Sequence, residues 1–511
     1  MVEEAVVAAD VLKKRATTTT TRRTSTASSK AATSTSRYCT ATSQCSGLTI
    51  PANSHHYCNY SLKKCTWLCN SGYTLRNGVC VKNAGTSSKT TTSNSAYYYN
   101  DRASTTTRSS TTSSRAATTT TKSTSVVCAT PYTAATMISG TGTLPKPTSF
   151  VQKQGSSLTL DGSPFRMVGP NIYWLCNDEN VGLPKGRPTD KGRVREALAI
   201  AVAMGSNTVR LTSCGVSVGH PWAVEPALGV FNETSFDIVD YVIYAAREYG
   251  LRVVLPMTDN FDFYHGGKYV FLRWLGLSSA NAGSAFYTET KAIDAYKQYI
   301  NKMMTRVNTY TGVRYGDDPT IMAYETGNEL GGWHNLEGWP LQAWTAEMTS
   351  YMKSLAPKAL IVDGAFGVFY DKFPNMTSPG LNVPSVDSVT QHVYPRNITL
   401  QTPDVPLAQK SSKVVFIGEF DWTNTHGGDS LSSWLSYVEK SGFAGALMWQ
   451  IQGKDSKCCA FVPHTDGYSF EYPNGSSGAD NMLQVVQFNY RVTGRAAPAA
   501  LPGVVCPQPV F

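Results

Sequence analysis

Two glutamates stand at the ends of apolar runs. Tyr324-Glu325-Thr326-Gly327-Asn328-Glu329-Leu330 and Phe416-Ile417-Gly418-Glu419-Phe420 each close a segment that reads as a buried strand. An acid in such a place must find a partner, reach a cavity or raise its pKa. Brought together, Glu329 and Glu419 would form the carboxyl pair that cleavage of a glycosidic bond requires. One protonates the leaving oxygen; the other attacks the anomeric carbon or activates water. Carboxyl groups about 5–5.5 Å apart give retention through a covalent intermediate, and about 6.5–9.5 Å gives inversion.

The elements that must position this pair are strands alternating with helices. Eight β-runs are predicted: 166–174, 207–211, 251–258, 321–329, 359–363, 388–394, 414–420 and 444–450. Helical periodicity lies between several of them, at 191–204, 236–249, 289–310, 342–355 and 431–440. In 191–204 the stripe is Val194, Leu198, Ala201 and Val202. Strand–helix repetition over this length implies a parallel sheet, and eight strands in one domain imply closure into a (β/α)₈ TIM barrel. An open doubly wound sheet is disfavoured because no Gly-rich phosphate loop follows the first strand. In a barrel the C-terminal strand ends face the active site, where both glutamates fall.

The rest of the 511-residue chain has a different texture. Residues 1–37 read as a pro-segment followed by a disordered Ser/Thr-rich tail, and 84–145 as a Ser/Thr-rich, O-glycosylated linker. Between them, 38–83 holds Cys39, Cys45, Cys58, Cys65, Cys69 and Cys80 with few aliphatic residues, so a small disulfide-stapled module is expected. Its Tyr57, Tyr60 and Trp67 suit glycan stacking, while a wall anchor or a folded spacer fits equally well. The barrel is placed at 146–495, with a C-terminal tail over 496–511.

Charge is uneven. Residues 1–150 carry 17 Lys and Arg against 4 acids, and the remainder 28 against 32. The basic surplus therefore belongs to the N-terminal region: a solvated stalk, or one drawn to an acidic wall glycan. No basic helix with interleaved aromatics suggests nucleic acid, and no segment is apolar enough to insert in a membrane. Six of the twelve cysteines crowd the 38–83 module and six lie in or flank the large domain, two even sets that point to disulfides and an oxidising compartment. Cys65-x₃-Cys69 lacks a second pair, so no metal is expected, and no cofactor. The start of the sequence has no apolar signal core, and Lys13-Lys14-Arg15 reads as a dibasic processing site. An upstream signal segment is therefore expected. Sequons at Asn59, Asn232, Asn375, Asn397 and Asn474 fit a secreted protein, associated with a cell wall or free.

Residues 146–495 resemble glycoside hydrolase family 5, most closely its fungal endo-β-1,4-mannanases. The resemblance rests on Asn328-Glu329, Gly418-Glu419-Phe420, Gln391-His392-Val393-Tyr394-Pro395, Thr208-Val209-Arg210 and Leu447-Met448-Trp449-Gln450, in that family's positions. It implies Glu329 as acid/base and Glu419 as nucleophile of a retaining enzyme. It also implies Arg210 and Tyr394 holding Glu419 ionised, Asn328 at the sugar 2-hydroxyl, His392 beside Glu329, and Trp449 as the floor under the cleaved sugar. Asn171-Ile172-Tyr173-Trp174 is similar to the segment whose Trp lines the glycone side, so Trp174 is a candidate. Thr258-Asp259-Asn260-Phe261 makes Asp259 and Asn260 candidates for substrate contact or loop capping, and Trp333, Trp339 and Trp422 candidates for subsites. Leu330-Gly331-Gly332 departs from relatives that carry Pro after the acid. The loop at 453–467, with Cys458 and Cys459, is expected to wall one end of the groove. The implied partner is a β-linked polysaccharide, mannan or a related wall glycan, cut by a monomer. A β-glucanase, an exo-β-mannosidase and a non-catalytic glycan-binding wall protein remain open on the sequence.

Overall fold

A computed structural model describes residues 144–504, apart from 182–185, 213–214, 216–221, 333–337, 370–375, 456–459, 465 and 474–477. In the N-terminal region it describes Cys45 and residues 52–59, 64–69, 73–76 and 79–82. The chain forms two compact units, Met1–Thr119 and Thr120–Phe511. In the first, Ser54–Asn59 pairs antiparallel with Lys64–Cys69, and Tyr73–Arg76 with Val79–Lys82. The expected Ser/Thr-rich linkers, Trp333, and Cys214, Cys458, Cys459 and Cys506 lie outside the described residues.

The second unit is built on eight parallel strands: β1 (Met167–Pro170), β2 (Thr208–Arg210), β3 (Arg252–Pro256), β4 (Ile321–Glu325), β5 (Leu360–Asp363), β6 (Ser388–Val393), β7 (Val414–Asp421) and β8 (Gly445–Trp449). Hydrogen-bonded order runs from β2 through β8 to β1. The ring closes where Asn207 N donates to Val168 O and Ile172 N to Arg210 O. These strands are almost wholly buried, which is why β3, β4 and β7 read as near-continuous apolar runs rather than alternating ones.

A small antiparallel sheet precedes β1 (Gln152–Gln154, Ser157–Leu160, Ser163–Phe165). Its Leu158 joins a cluster with Met167, Val254, Met322, Leu360, Val414 and Phe416, near the N-terminal starts of the strands. This plug seals one end of the barrel and leaves the C-terminal end for loops. The outer layer includes α1 (Lys191–Ala203), α2 (Glu233–Tyr249), α3 (Lys268–Leu275), α4 (Thr290–Thr305), α5 (Gln342–Leu355), α6 (Asp404–Lys410), α7 (Leu431–Lys440) and α8 (Ala479–Val492). Asn232 caps α2 by accepting from Thr234 N and Ser235 N, so that helix begins earlier than the apolar periodicity suggests. The helix expected over 289–310 stops at Thr305, because the chain then turns into a Val307–Arg314 bridge. Beyond α8, Pro498 O and Pro502 O accept from Gln487 and Tyr472, so residues 496–504 lie along the barrel.

Candidate active site

The C-terminal strand ends gather one buried ionic network. Arg210, the last residue of β2, is completely buried. Its Nε and Nη2 donate to Glu325 at 2.8–3.2 Å, its Nη1 to Glu419 Oε1 at 2.9 Å and to Asn171 Oδ1 at 3.0 Å, and its Nη2 also to Asn328 Oδ1 at 2.8 Å. A guanidinium sealed from water needs its full set of acceptors, and here two carboxylates and two amides supply them. Burial opposes the Arg210 charge, but Glu325 and Glu419 outweigh it and raise the pKa. Glu325, the last residue of β4, was not anticipated as a site residue.

Glu419 on β7 accepts on its other oxygen from the Tyr394 hydroxyl at 2.9 Å. Glu329 lies beyond β4, where the chain bridges to Asp259 on one side through Asn328 and to Ala365 on the other through Leu330. Its φ of 51° is left-handed, a conformation that costs a β-carbon-bearing residue about 1–3 kcal/mol and persists when its surroundings over-determine it. The bridges supply that constraint. Glu329 Oε1 sits 2.7 Å from His392 Nδ1, and that nitrogen is 3.5 Å from Glu419 Oε1. One oxygen of each glutamate and a His392 ring nitrogen all fall within 4.8 Å of one another.

The two acids have different surroundings. Burial, and then the Asp259 carboxylate, push Glu329 up to about 8 against the pull of Arg210. Burial pushes Glu419 up to about 7, opposed by His392, Arg210 and the Tyr394 hydroxyl. A single proton shared between them therefore settles on Glu329. Burial also pushes His392 down to about 4, so its ring is neutral near pH 7.

The cleft over these acids has a volume of about 730 Å³. Asn328, Glu329, His392, Tyr394, Glu419 and Trp449 line it together. Arg210 holds the lining residues from behind. Trp449, the last residue of β8, stacks on Tyr173 at 5.7 Å between ring centres and donates its indole N–H to Asp466 Oδ2 at 2.9 Å. Phe261, Phe263, Phe366, Phe369, His426 and Tyr468 complete much of the wall. Apart from Phe261, named only as part of a motif, none of these was foreseen. They come from loops, where no periodicity marks them.

Four expected contacts fall elsewhere. Trp174 is fully buried, donates its indole N–H to Ile451 O, and carries the Arg193 guanidinium 3.8 Å from its ring centre. It packs behind the β1 end, and its neighbour Tyr173 reaches the Trp449 ring instead. Asn260 is also buried, with Oδ1 accepting from Gly331 N at 3.2 Å, so it braces the turn after Glu329. Asp259 is 1 % exposed, with its carboxylate engaged by His265 and Asn328, and Trp422 is buried against Phe470. The described part of the 453–467 loop places His464 and Asp466 beside Tyr173 and Trp449, at the β1–β8 side of the groove.

A family model described as GH family 5 beta-mannosidase-like matches residues 148–420. The chain is 33% identical over 289 residues to mannan endo-1,4-beta-mannosidase 5 of Solanum lycopersicum, covering 55% of this chain and 67% of that protein. The endo-1,4-beta-mannanase of Rhizomucor miehei superposes with a TM-score of 0.56 at 24% identity, over 68% of this chain and 100% of that one. The endo-beta-1,4-mannanase of Thermotoga petrophila gives 0.55 at 23% identity, over 67% and 81%. With a barrel whose mouth holds two glutamates and their partners, and a family match over most of that barrel, the chain belongs to the beta-mannosidase-like members of glycoside hydrolase family 5.

Proposed function

We propose that the protein is a retaining endo-β-1,4-mannanase. The observation that carries this reading is the closeness of Glu329 and Glu419, within 4.8 Å, with unlike partners on the two acids. That spacing is on the retaining side of the two carboxyl separations and favours direct attack. Glu419, aimed by Arg210 and Tyr394, attacks the anomeric carbon, while Glu329 gives its proton to the departing glycosidic oxygen as that bond breaks. Esterification removes the charge from Glu419. Glu329, now ionised, takes a proton from water, whose oxygen attacks the anomeric carbon and releases Glu419.

Asn328 keeps one N–H beyond its bonds to Arg210 and Asp259, and this group suits the sugar 2-hydroxyl. Trp449 is placed to lie under the sugar at the point of cleavage. The names of the tomato and R. miehei relatives support internal cleavage of β-1,4-mannan. The protein is further read as a secreted monomer acting on wall mannan or glucomannan, with the six-Cys module as an accessory. The sequons and the two sets of six cysteines support the secreted part of that reading. Among the described residues no helix is long and apolar enough to cross a membrane.

The test is a product profile on mannan, glucomannan, carboxymethyl cellulose and β-1,3-glucan. Release of manno-oligosaccharides from the first two is expected, and its loss in Glu419→Gln. Mannose as the sole product would exclude the endo reading. Unchanged turnover in Glu419→Gln would exclude the mechanism.

A further inference from the structure

Behind the acid/base lies a group of buried ionisable side chains that the reaction above leaves unused. Asp259, His265 and Lys268 are at most 3 % exposed and belong to the segment that follows β3. Asp259 Oδ2 accepts from His265 Nε2 at 2.9 Å and from Asn328 Nδ2 at 3.2 Å, while Oδ1 accepts from Phe261 N at 2.8 Å. The backbone repeats the tie: Asn328 N donates to Thr258 O, and Asn260 N to Asn328 O.

Asn328 is thus clamped between opposite charges. Its Oδ1 faces the Arg210 guanidinium and its Nδ2 faces the Asp259 carboxylate. Turning the amide over would set donor against donor and acceptor against acceptor. Glu329, the next residue, is held in its left-handed conformation by the same bridge.

We propose that Asp259 is a positioning residue for Asn328-Glu329: it fixes the Asn328 amide and, by its charge, keeps the proton on Glu329. The charged and titratable groups facing Glu329 are His392 from β6, Glu419 from β7, Arg210 from β2 and Asp259 from beyond β3, with Tyr394 after β6. Arg210 pulls that proton off; Asp259 opposes it. Lys268 offsets Asp259 while it is charged, but burial pushes its ammonium down to about 7, so this offset fades above neutrality, where Glu329 loses its proton. A neutral residue at 259 would leave Arg210 unopposed from this side.

This inference rests on Glu329 being the acid. The experiment is the pH dependence of kcat/KM on mannan for the wild-type protein, Asp259→Asn and His265→Gln. The alkaline limb reports Glu329 in the free enzyme. In Asp259→Asn it is expected to move down by about 0.5–1 pH unit, since a like charge has been removed. kcat/KM at acid pH should also fall roughly tenfold, from disturbance of the Asn328 amide. His265→Gln retains the carboxylate and should leave the limb in place. Asp259→Ala gives the same reading if Asp259→Asn does not fold. A limb unmoved in either folded Asp259 variant overturns the proposal, as does an equal shift in His265→Gln. Absence of mannan hydrolysis by the wild-type protein would instead count against the function, so the two failures are distinguishable.

Discussion

Arg210 and Glu325 form an ion pair with no exposure on either side chain: Nη2 to Oε2 at 2.8 Å, and Nε to the two oxygens at 3.1 and 3.2 Å. Arg210 reaches Glu419 through its remaining arm. Glu325 thus fixes where the positive charge sits and limits how much of it Glu419 receives. Removing one partner of a buried pair leaves the other uncompensated, at about 3–5 kcal/mol. Glu325→Ala is expected to lower the unfolding free energy by that amount, and the denaturation midpoint with it. In the molecules that remain folded, Arg210 should bind Glu419 more strongly and move the acid limb of kcat/KM to lower pH. Denaturant titration and a pH–rate profile check the two effects separately.

The pH–rate profile of the wild-type protein should be a bell with both limbs above the ordinary carboxylate range of about 4–4.5. Turnover requires Glu419 ionised and Glu329 protonated. Activity should therefore fall on acidification as Glu419 gains a proton, and above about 8 as Glu329 loses its own. His392, neutral above about 4, should add no further limb between them. An acid limb at or below the ordinary range would show that Arg210 and Tyr394 outweigh burial at Glu419.

Leaving-group chemistry separates the two glutamates. Glu329→Ala removes the proton donor, worth roughly 10²–10⁴-fold on a sugar leaving group. An aryl mannoside with an acidic phenol needs no such proton, so its glycosylation step should survive and a burst of phenol should appear. Glu419→Ala removes the attacking oxygen, and neither substrate should react. Stopped-flow measurement of phenol release, beside reducing-sugar release from mannan, reads both.

Much of this architecture was legible beforehand. Each of the eight β-runs meets a barrel strand, with β7 running one residue past its predicted end, because strands buried on both faces tend to be apolar segments. Glu419, His392 and Tyr394 were found because they sit at or just after such strands. Glu329 was placed at the end of the predicted 321–329 strand and by its motif, but the strand stops at Glu325, four residues earlier, and Glu329 sits in a conformation that side-chain pattern does not encode. Trp174 and Tyr173 were exchanged because neighbouring side chains leave the chain on opposite sides, and composition does not say which faces the cleft. Glu325 had a signal that went unused: a fully buried arginine facing one nucleophile needs a second anion. The aromatic wall from Phe263, Phe366, Phe369 and Tyr468 had none, since loops carry no periodicity.

Stability should fall as pH rises toward neutrality, and Glu225 gives the clearest handle on this. It is fully buried, with Oε1 accepting from Gly229 N and Oε2 without a hydrogen bond among the described residues. Burial pushes it up to about 7. From about pH 4.5 to 7 the folded state then holds a proton that the unfolded chain has released, so the folded state loses stability through that window. Glu196, also raised to about 7, acts in the same direction. Glu225→Gln should flatten the pH dependence of the melting temperature. The gain is about 3 kcal/mol at most at pH 8, with little change at pH 4. An unaltered slope would mean that Glu225 is ionised in the folded protein throughout.

The floor of the cleft depends on an acid outside the reaction. Asp466 Oδ2 accepts from the Trp449 indole at 2.9 Å, while its Oδ1 accepts from Tyr468 N, Ser469 N and the Ser469 hydroxyl, each at 2.8 Å. One carboxylate therefore sets the height of the Trp449 ring and the path of the chain that carries Tyr468 to the opposite wall. Trp449 also stacks on Tyr173, an interaction of about 0.5–1.5 kcal/mol, and packs against the core. Asp466→Ala should free the indole and the loop together. We expect kcat/KM on mannan to drop by about tenfold, corresponding to loss of one charge-assisted hydrogen bond, with Trp fluorescence shifted to longer wavelength. Asp466→Asn keeps an acceptor for the indole and should recover most of the rate. If both variants match the wild-type protein, the stacked Tyr173 ring and the core packing are enough to hold the floor in place.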